Sequence, residues 1–93
     1  MDIINSTLLV IDDEQPVRSS IVAYLEDSGY EVEQATNGEE GLSKFHQIQP
    51  DLILCDLRMP KMDGLVVLES VMQLNPEIPF IIVSGAGVMN DVV

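Results

Sequence analysis

Basic residues are scarce in this chain. Four Lys and Arg stand against sixteen Asp and Glu, a formal charge of −12 over 93 residues. Sequence-independent binding to DNA or RNA needs basic surface that displaces counterions from phosphates, and docking on anionic lipid needs the same. Neither nucleic acid nor a membrane is therefore expected as a direct partner, whereas metal cations and basic protein surfaces suit the charge. Cysteine occurs once, at Cys55, so no intrachain disulfide can form. Cys55 sits inside an apolar run and reads as a buried, reduced thiol of a cytoplasmic protein. No segment approaches the ~20 apolar residues of a membrane span. The N-terminal stretch lacks the basic region of a signal peptide, and its apolar part ends at Asp12 and Asp13. There is no repeat of fixed period and no low-complexity segment. Gly38, Gly41, Gly85 and Gly87 compose neither a dinucleotide fingerprint nor a phosphate-binding loop. With 46% of residues apolar, the chain has enough hydrophobic material to fold, but its length allows one domain with one modest core.

The pattern that is present is an alternation. Thr7-Leu8-Leu9-Val10-Ile11 is a continuous apolar run that ends in acid, as expected of a strand covered on both faces. Pro16 suits the first turn of a helix. Val17, Ile21, Val22 and Leu25 continue it at helical spacing, and Gly29 suits its stop. Residues 30–35 form a short strand whose Glu31, Glu33 and Gln34 fit a sheet edge. Asn37 followed by Glu40 is the start signal of a second helix, with Leu42, Phe45 and Ile48 as its apolar stripe and Gln49-Pro50 as its end. Leu52-Ile53-Leu54-Cys55 is a second buried run, again followed by an acid, Asp56. After a loop over residues 59–64, a third helix shows Leu65, Leu68, Val71 and Met72 on one face, and Asn75-Pro76 breaks it. Residues 78–83 give a fourth strand, and residues 88–93 resemble the start of a fourth helix. The sum is βαβαβαβα, an α/β chain with a parallel sheet covered by helices.

Two strands end in carboxylates, the first at Asp12-Asp13 and the third at Asp56. Open α/β sheets bind ligands beyond the carboxyl ends of their strands, where the winding direction reverses. If the first and third strands are neighbours, these acids converge there. Their mutual repulsion raises carboxylate pKa values unless a cation lies among them, and hard oxygens with room for water suit Mg²⁺. An acid after a strand can equally be a helix cap or a solvated loop residue; it is the placement of three such acids at two strand ends that favours a metal site.

These residues resemble a known family. Val10-Ile11-Asp12-Asp13-Glu14, Asp56-Leu57-Arg58-Met59-Pro60, Asp63-Gly64 and Ser84-Gly85, in that order and with matching element lengths, are similar to the receiver domain of bacterial response regulators. The resemblance implies a flavodoxin-like, three-layer αβα fold with strand order 2-1-3-4 over the residues present and a fifth βα unit missing. It implies that Asp56 accepts a phosphoryl group from a sensor histidine kinase, a phosphotransfer protein or a small phosphodonor. It further implies that Asp13, Asp56 and the Arg58 backbone carbonyl bind Mg²⁺ (or another divalent ion such as Mn²⁺), with Asp12 acting largely through water. Ser84 would hydrogen-bond the phosphoryl group. Such a domain is a signalling module rather than an enzyme acting on an external substrate, and it controls an output domain or a partner.

The family continues with a fifth strand followed by a lysine that contacts the phosphoryl group. Lys44 and Lys61 lie in the wrong elements for that role. Residues 1–93 are thus expected to be one receiver domain, incomplete at its C-terminus and part of a longer parent chain. The apolar run Phe80-Ile81-Ile82-Val83 would then be an open edge able to recruit a second chain. The alternative function is a receiver-like interaction domain that works without phosphorylation. A haloacid-dehalogenase-like phosphatase carries a second Asp two residues after its nucleophile, and Arg58 occupies that position here. His46, among polar neighbours, reads as a surface residue, and Met59, Met62, Met72 and Met89 read as packing residues.

Overall fold

A computed structural model describes residues 6–83. Its elements are β1 (Thr7–Ile11), α1 (Gln15–Asp27), β2 (Glu31–Ala35), α2 (Gly38–Ile48), β3 (Leu52–Asp56), α3 (Gly64–Leu74) and β4 (Phe80–Val83). All strand pairs are parallel and the sheet order is β2-β1-β3-β4, so the first and third strands are neighbours. The expected fourth helix and Ser84 lie outside the described residues.

The two buried runs form the centre of the sheet because their residues are apolar on both sides of the pleat. Leu9, Ile11, Ile53 and Cys55 point to one face, where Phe45 of α2 and Val67 and Val71 of α3 close over them. Leu8 and Val10 alternate with these and are also buried; they face the side on which α1 lies against β1 and β2. Further along that second face, Leu52, Leu54, Pro79 and Ile81 line an open apolar groove together with Leu8 and Leu25. Strand β2 is the polar edge that Glu31 and Glu33 implied, and both are exposed.

Local signals act where expected. Pro16 lies in the first turn of α1, and the chain leaves that helix through Gly29 at φ 100°, a value glycine adopts without steric cost. Asn37 Oδ1 accepts from the Glu40 N–H at 2.8 Å. The Glu40 carboxylate reaches back not to Asn37 but to Thr36, accepting from its N–H at 2.6 Å and its hydroxyl at 2.9 Å. Two expectations change. The helical stripe of α1 buries Arg18 with Val22, and in α3 the buried positions are Gly64, Val67 and Val71, leaving Leu65 54% exposed. Periodicity could not set the phase of α3 because Leu65-Val66-Val67-Leu68 is apolar on every side. The phase is set by Gly64, where a Cβ would run into the Asp56 carbonyl oxygen; Val67 and Val71 fall on that same side of the helix.

Candidate metal and phosphoryl-transfer site

The register that pairs Ile11 with Cys55 carries the next residues, Asp12 and Asp56, to adjacent strand ends. Asp12 is 3% and Asp56 5% exposed, whereas Asp13 is exposed at the mouth of the site. One carboxylate oxygen from each of the three lies within 4.8 Å of the others. The convergence expected of these acids is therefore real, and it is a product of strand order.

Each acid is held differently. The Asp12 N–H donates to the Ala35 carbonyl at 3.1 Å, and Asp12 Oδ1 accepts from the Glu14 N–H at 2.9 Å. Asp56 is the last residue of β3. The following Leu57 keeps the turn in place, donating to the Val83 carbonyl at 3.0 Å and accepting from the Gly64 N–H at 2.8 Å. Burial pushes the Asp56 carboxyl up to about 6, helped by the charge of Asp12 and, more weakly, of Asp13 and Glu14. The Arg58 backbone N–H hydrogen-bonds the Asp56 carboxylate and pulls the other way.

Asp56 Oδ1 is buried and has no hydrogen-bond partner among the described residues. An orphaned carboxylate oxygen is costly, and here it sits amid like charge. A divalent cation would supply the missing interaction and relieve the repulsion, so the donor set fits a hard oxygen-seeking ion. Among the described residues, these three carboxylates could together hold one.

Other candidate residues separate from the site. Arg58 has an exposed side chain in the loop after β3. Lys44 donates to the Gln34 carbonyl at 2.6 Å and lies 3.9 Å from Glu40 and 4.0 Å from Glu33, so its charge is engaged on the β2 edge. Lys61 lies in the loop with a left-handed φ of 70° and lines a small pocket with Asp13, Asn37 and Met62. His46 is exposed and meets Phe45 edge-on, with ring centroids 5.5 Å apart. The Cys55 thiol is fully buried, and burial beside Asp56 pushes it up to about 12, so it is inert at neutral pH.

Two roles went unread in the sequence, where Asp63 stood only as part of the Asp63-Gly64 motif. Asp63 caps α3, its Oδ1 accepting from the Leu65 and Val66 N–H groups at 3.0 and 3.1 Å; an Asp before an apolar run was the available signal. Arg18 was read over because it interrupts an apolar stripe, yet its spacing to Val22 placed it on the buried side.

Comparison with known proteins agrees with the fold. Residues 8–93 match the family described as "Response regulator receiver domain". The chain is 37% identical over 81 residues to the alkaline phosphatase synthesis transcriptional regulatory protein PhoP of Bacillus subtilis, covering 87% of this chain and 34% of that protein. It is 37% identical over 81 residues to the chemotaxis protein CheY of Listeria monocytogenes, covering 86% of this chain and 68% of that one. A crystal structure of the response regulator TrrA from Thermotoga maritima, in complex with Mg²⁺ and BeF, matches with a TM-score of 0.84 at 31% identity, covering 95% of this chain and 76% of that one. A receiver domain protein from Clostridium thermocellum matches with a TM-score of 0.84 at 33% identity, covering 92% and 70%. The chain spans about a third of the length of the first curated relatives it matches, at 33%, 36% and 34%. Among the described residues no helix is long and apolar enough to cross a membrane. On sequence, strand order and the placement of its acids together, the chain belongs to the response-regulator receiver domain family.

Proposed function

We propose that Asp56 is the phosphoacceptor of a two-component signalling protein, and that Asp12, Asp13 and Asp56, with the Arg58 backbone carbonyl, hold Mg²⁺ or Mn²⁺. The observation that carries this reading is the convergence of the three carboxylates around the buried, unpartnered Oδ1 of Asp56. A divalent cation bound there offsets the repulsion between the carboxylates and an incoming phosphoryl group. The chain's own residues supply position and nucleophile. An Asp56 oxygen attacks phosphorus, a P–O bond forms, and the bond from phosphorus to the donor breaks, its electron pair leaving with the donor's nitrogen or oxygen. The product is an acyl phosphate on β3. Asp12 and Asp13 raise the charge density that selects a divalent ion, and the Arg58 N–H restrains the Asp56 carboxylate. Ser84 follows β4 directly in sequence, and its hydroxyl would donate to the new phosphoryl group.

The donor is a sensor histidine kinase or phosphotransfer protein, and the output is a further domain of a longer parent or a separate partner, consistent with relatives that are transcriptional regulators and chemotaxis proteins. The domain works in the cytoplasm, and its catalysis is confined to its own phosphorylation and dephosphorylation. Residues 1–93 act as one unit. Isolated from a parent, this unit self-associates through β4, whose described neighbour is β3 alone and whose Ile81 is 47% exposed.

The test is incubation with acetyl phosphate and Mg²⁺, followed by mass spectrometry. The expected result is a gain of one phosphoryl group at Asp56, abolished by a chelator and by Asp56→Asn. An intact metal site with no adduct would point to a phosphorylation-independent interaction domain, and multiple turnover of donor to a phosphatase.

A further inference from the structure

Arg18 is a buried cation that the chemistry above leaves unused. It is 9% exposed. Its Nη1 donates to the Asp12 backbone carbonyl at 2.8 Å, and its Nε donates to Gln34 Oε1 at 2.9 Å. Both acceptors are neutral. Burying a guanidinium against neutral acceptors is a poor way to stabilise a core, and an apolar residue would pack there as Val22 does one turn later. The two bonds instead tie three elements together: the turn after β1, helix α1 and the edge strand β2.

Asp12 is where those ties meet. It lies one residue beyond the last ladder pair, Ile11 with Ala35, so strand geometry no longer dictates its orientation. Its N–H is bonded to Ala35, its carbonyl to Arg18 and its Oδ1 to the Glu14 N–H. The bond from Arg18 restrains the peptide plane leading into Asp13 and, with the bond from the Glu14 N–H to Asp12 Oδ1, holds the turn that carries Asp12 and Asp13.

We infer that Arg18 is a positioning residue for the acid cluster: its fork, anchored on Gln34, holds the Asp12–Asp13 turn in the geometry that captures a divalent cation. This rests on the reading of Asp12 and Asp13 as metal ligands. Electrostatics and positioning give opposite signs. A positive charge beside the cluster repels Mg²⁺, so its field alone predicts tighter metal binding on removal. Positioning predicts weaker binding.

The experiment compares the parent chain with Arg18→Met, Arg18→Lys and Gln34→Ala. Mn²⁺ binding is read from loss of the free-ion electron paramagnetic resonance signal, with Mg²⁺ as competitor. Exchange of the Glu14 amide is followed without metal, and cooperative unfolding is checked throughout. Removing a residue that orients a metal ligand typically weakens affinity by about 10- to 100-fold, and that range is expected for Arg18→Met. A smaller loss is expected for Arg18→Lys and Gln34→Ala, with faster Glu14 exchange in all three. Folded variants that bind Mn²⁺ as tightly as the parent, or more tightly, would overturn the inference while leaving the metal site standing. A parent that binds neither ion would overturn the metal reading itself. If Arg18→Met does not fold, Arg18→Lys and Gln34→Ala decide: unchanged affinity and unchanged Glu14 exchange in both sink the positioning role.

Discussion

Asp12 and Asp56 stand side by side at the ends of two adjacent parallel strands, both nearly inaccessible to solvent, with carboxylate oxygens no more than 4.8 Å apart. Two carboxylates so placed cannot both ionise without penalty. The penalty falls visibly on Asp56, whose Oδ1 also lacks a partner among the described residues.

The first consequence is a pH dependence. The Asp56 carboxyl rises from 3.8 to about 6 on folding, so the folded protein binds this proton more tightly than the unfolded chain. The stability that Asp56 contributes is complete below pH ~4 and is lost as pH rises through about 6. In metal-free buffer, Asp56→Asn should raise stability at pH 7 by about 3 kcal/mol and leave it nearly unchanged near pH 4. Urea midpoints at the two pH values measure this. A variant less stable than the parent at pH 7 would contradict it.

Metal should reverse that ranking. An ion that binds only the folded state adds about 4.1 kcal/mol at a thousand times its dissociation constant. Mg²⁺ is therefore expected to raise the parent's melting temperature at pH 7 and to leave Asp56→Asn and Asp13→Asn much less affected. Equal shifts in all three proteins would place the ion elsewhere.

Gly64 tests the link between α3 and the site. A Cβ at this position meets the Asp56 carbonyl and the Leu57 Cα, backbone atoms that cannot swing aside. Gly64→Ala should cost about 2–4 kcal/mol, in the range of overpacked or strained sites, and should weaken metal binding because the turn after Asp56 must shift. Chemical denaturation and a metal titration on the folded fraction give the two numbers. An Ala variant of parental stability would rule out the close approach.

The proposed self-association can be tested at Ile81, which is 47% exposed on the last described strand and lines the apolar groove. Ile81→Lys places a charge there, as natural edge strands do, and should shift sedimentation toward monomer at high concentration with little loss of stability. A monomeric parent would remove the premise.

How far these features were legible in the sequence differs residue by residue. The runs ending at Ile11 and Cys55 announced buried parallel strands because they are apolar at every position, a pattern that needs cover on both faces. Asn37 and Pro16 marked helix starts through hydrogen bonds and torsions confined to a few neighbouring residues. The acids at 12, 13 and 56 drew notice by falling where strands end, and resemblance to receiver domains supplied the strand order that turned three separate acids into one site.

Tertiary structure alone decided the rest. The phase of α3 came from contact between Gly64 and the Asp56 backbone, since four consecutive apolar residues carry no phase of their own. The burial of Arg18 came from acceptors on two other elements, a carbonyl after β1 and an amide on β2. The raised affinity of Asp56 for its proton came from desolvation and from a neighbour 44 residues away in sequence. Local pattern determines what a segment becomes, because propensity and capping act over a few residues. Which carboxylate is buried, which oxygen is orphaned and which cation holds the turn depend on groups brought together only when the sheet closes.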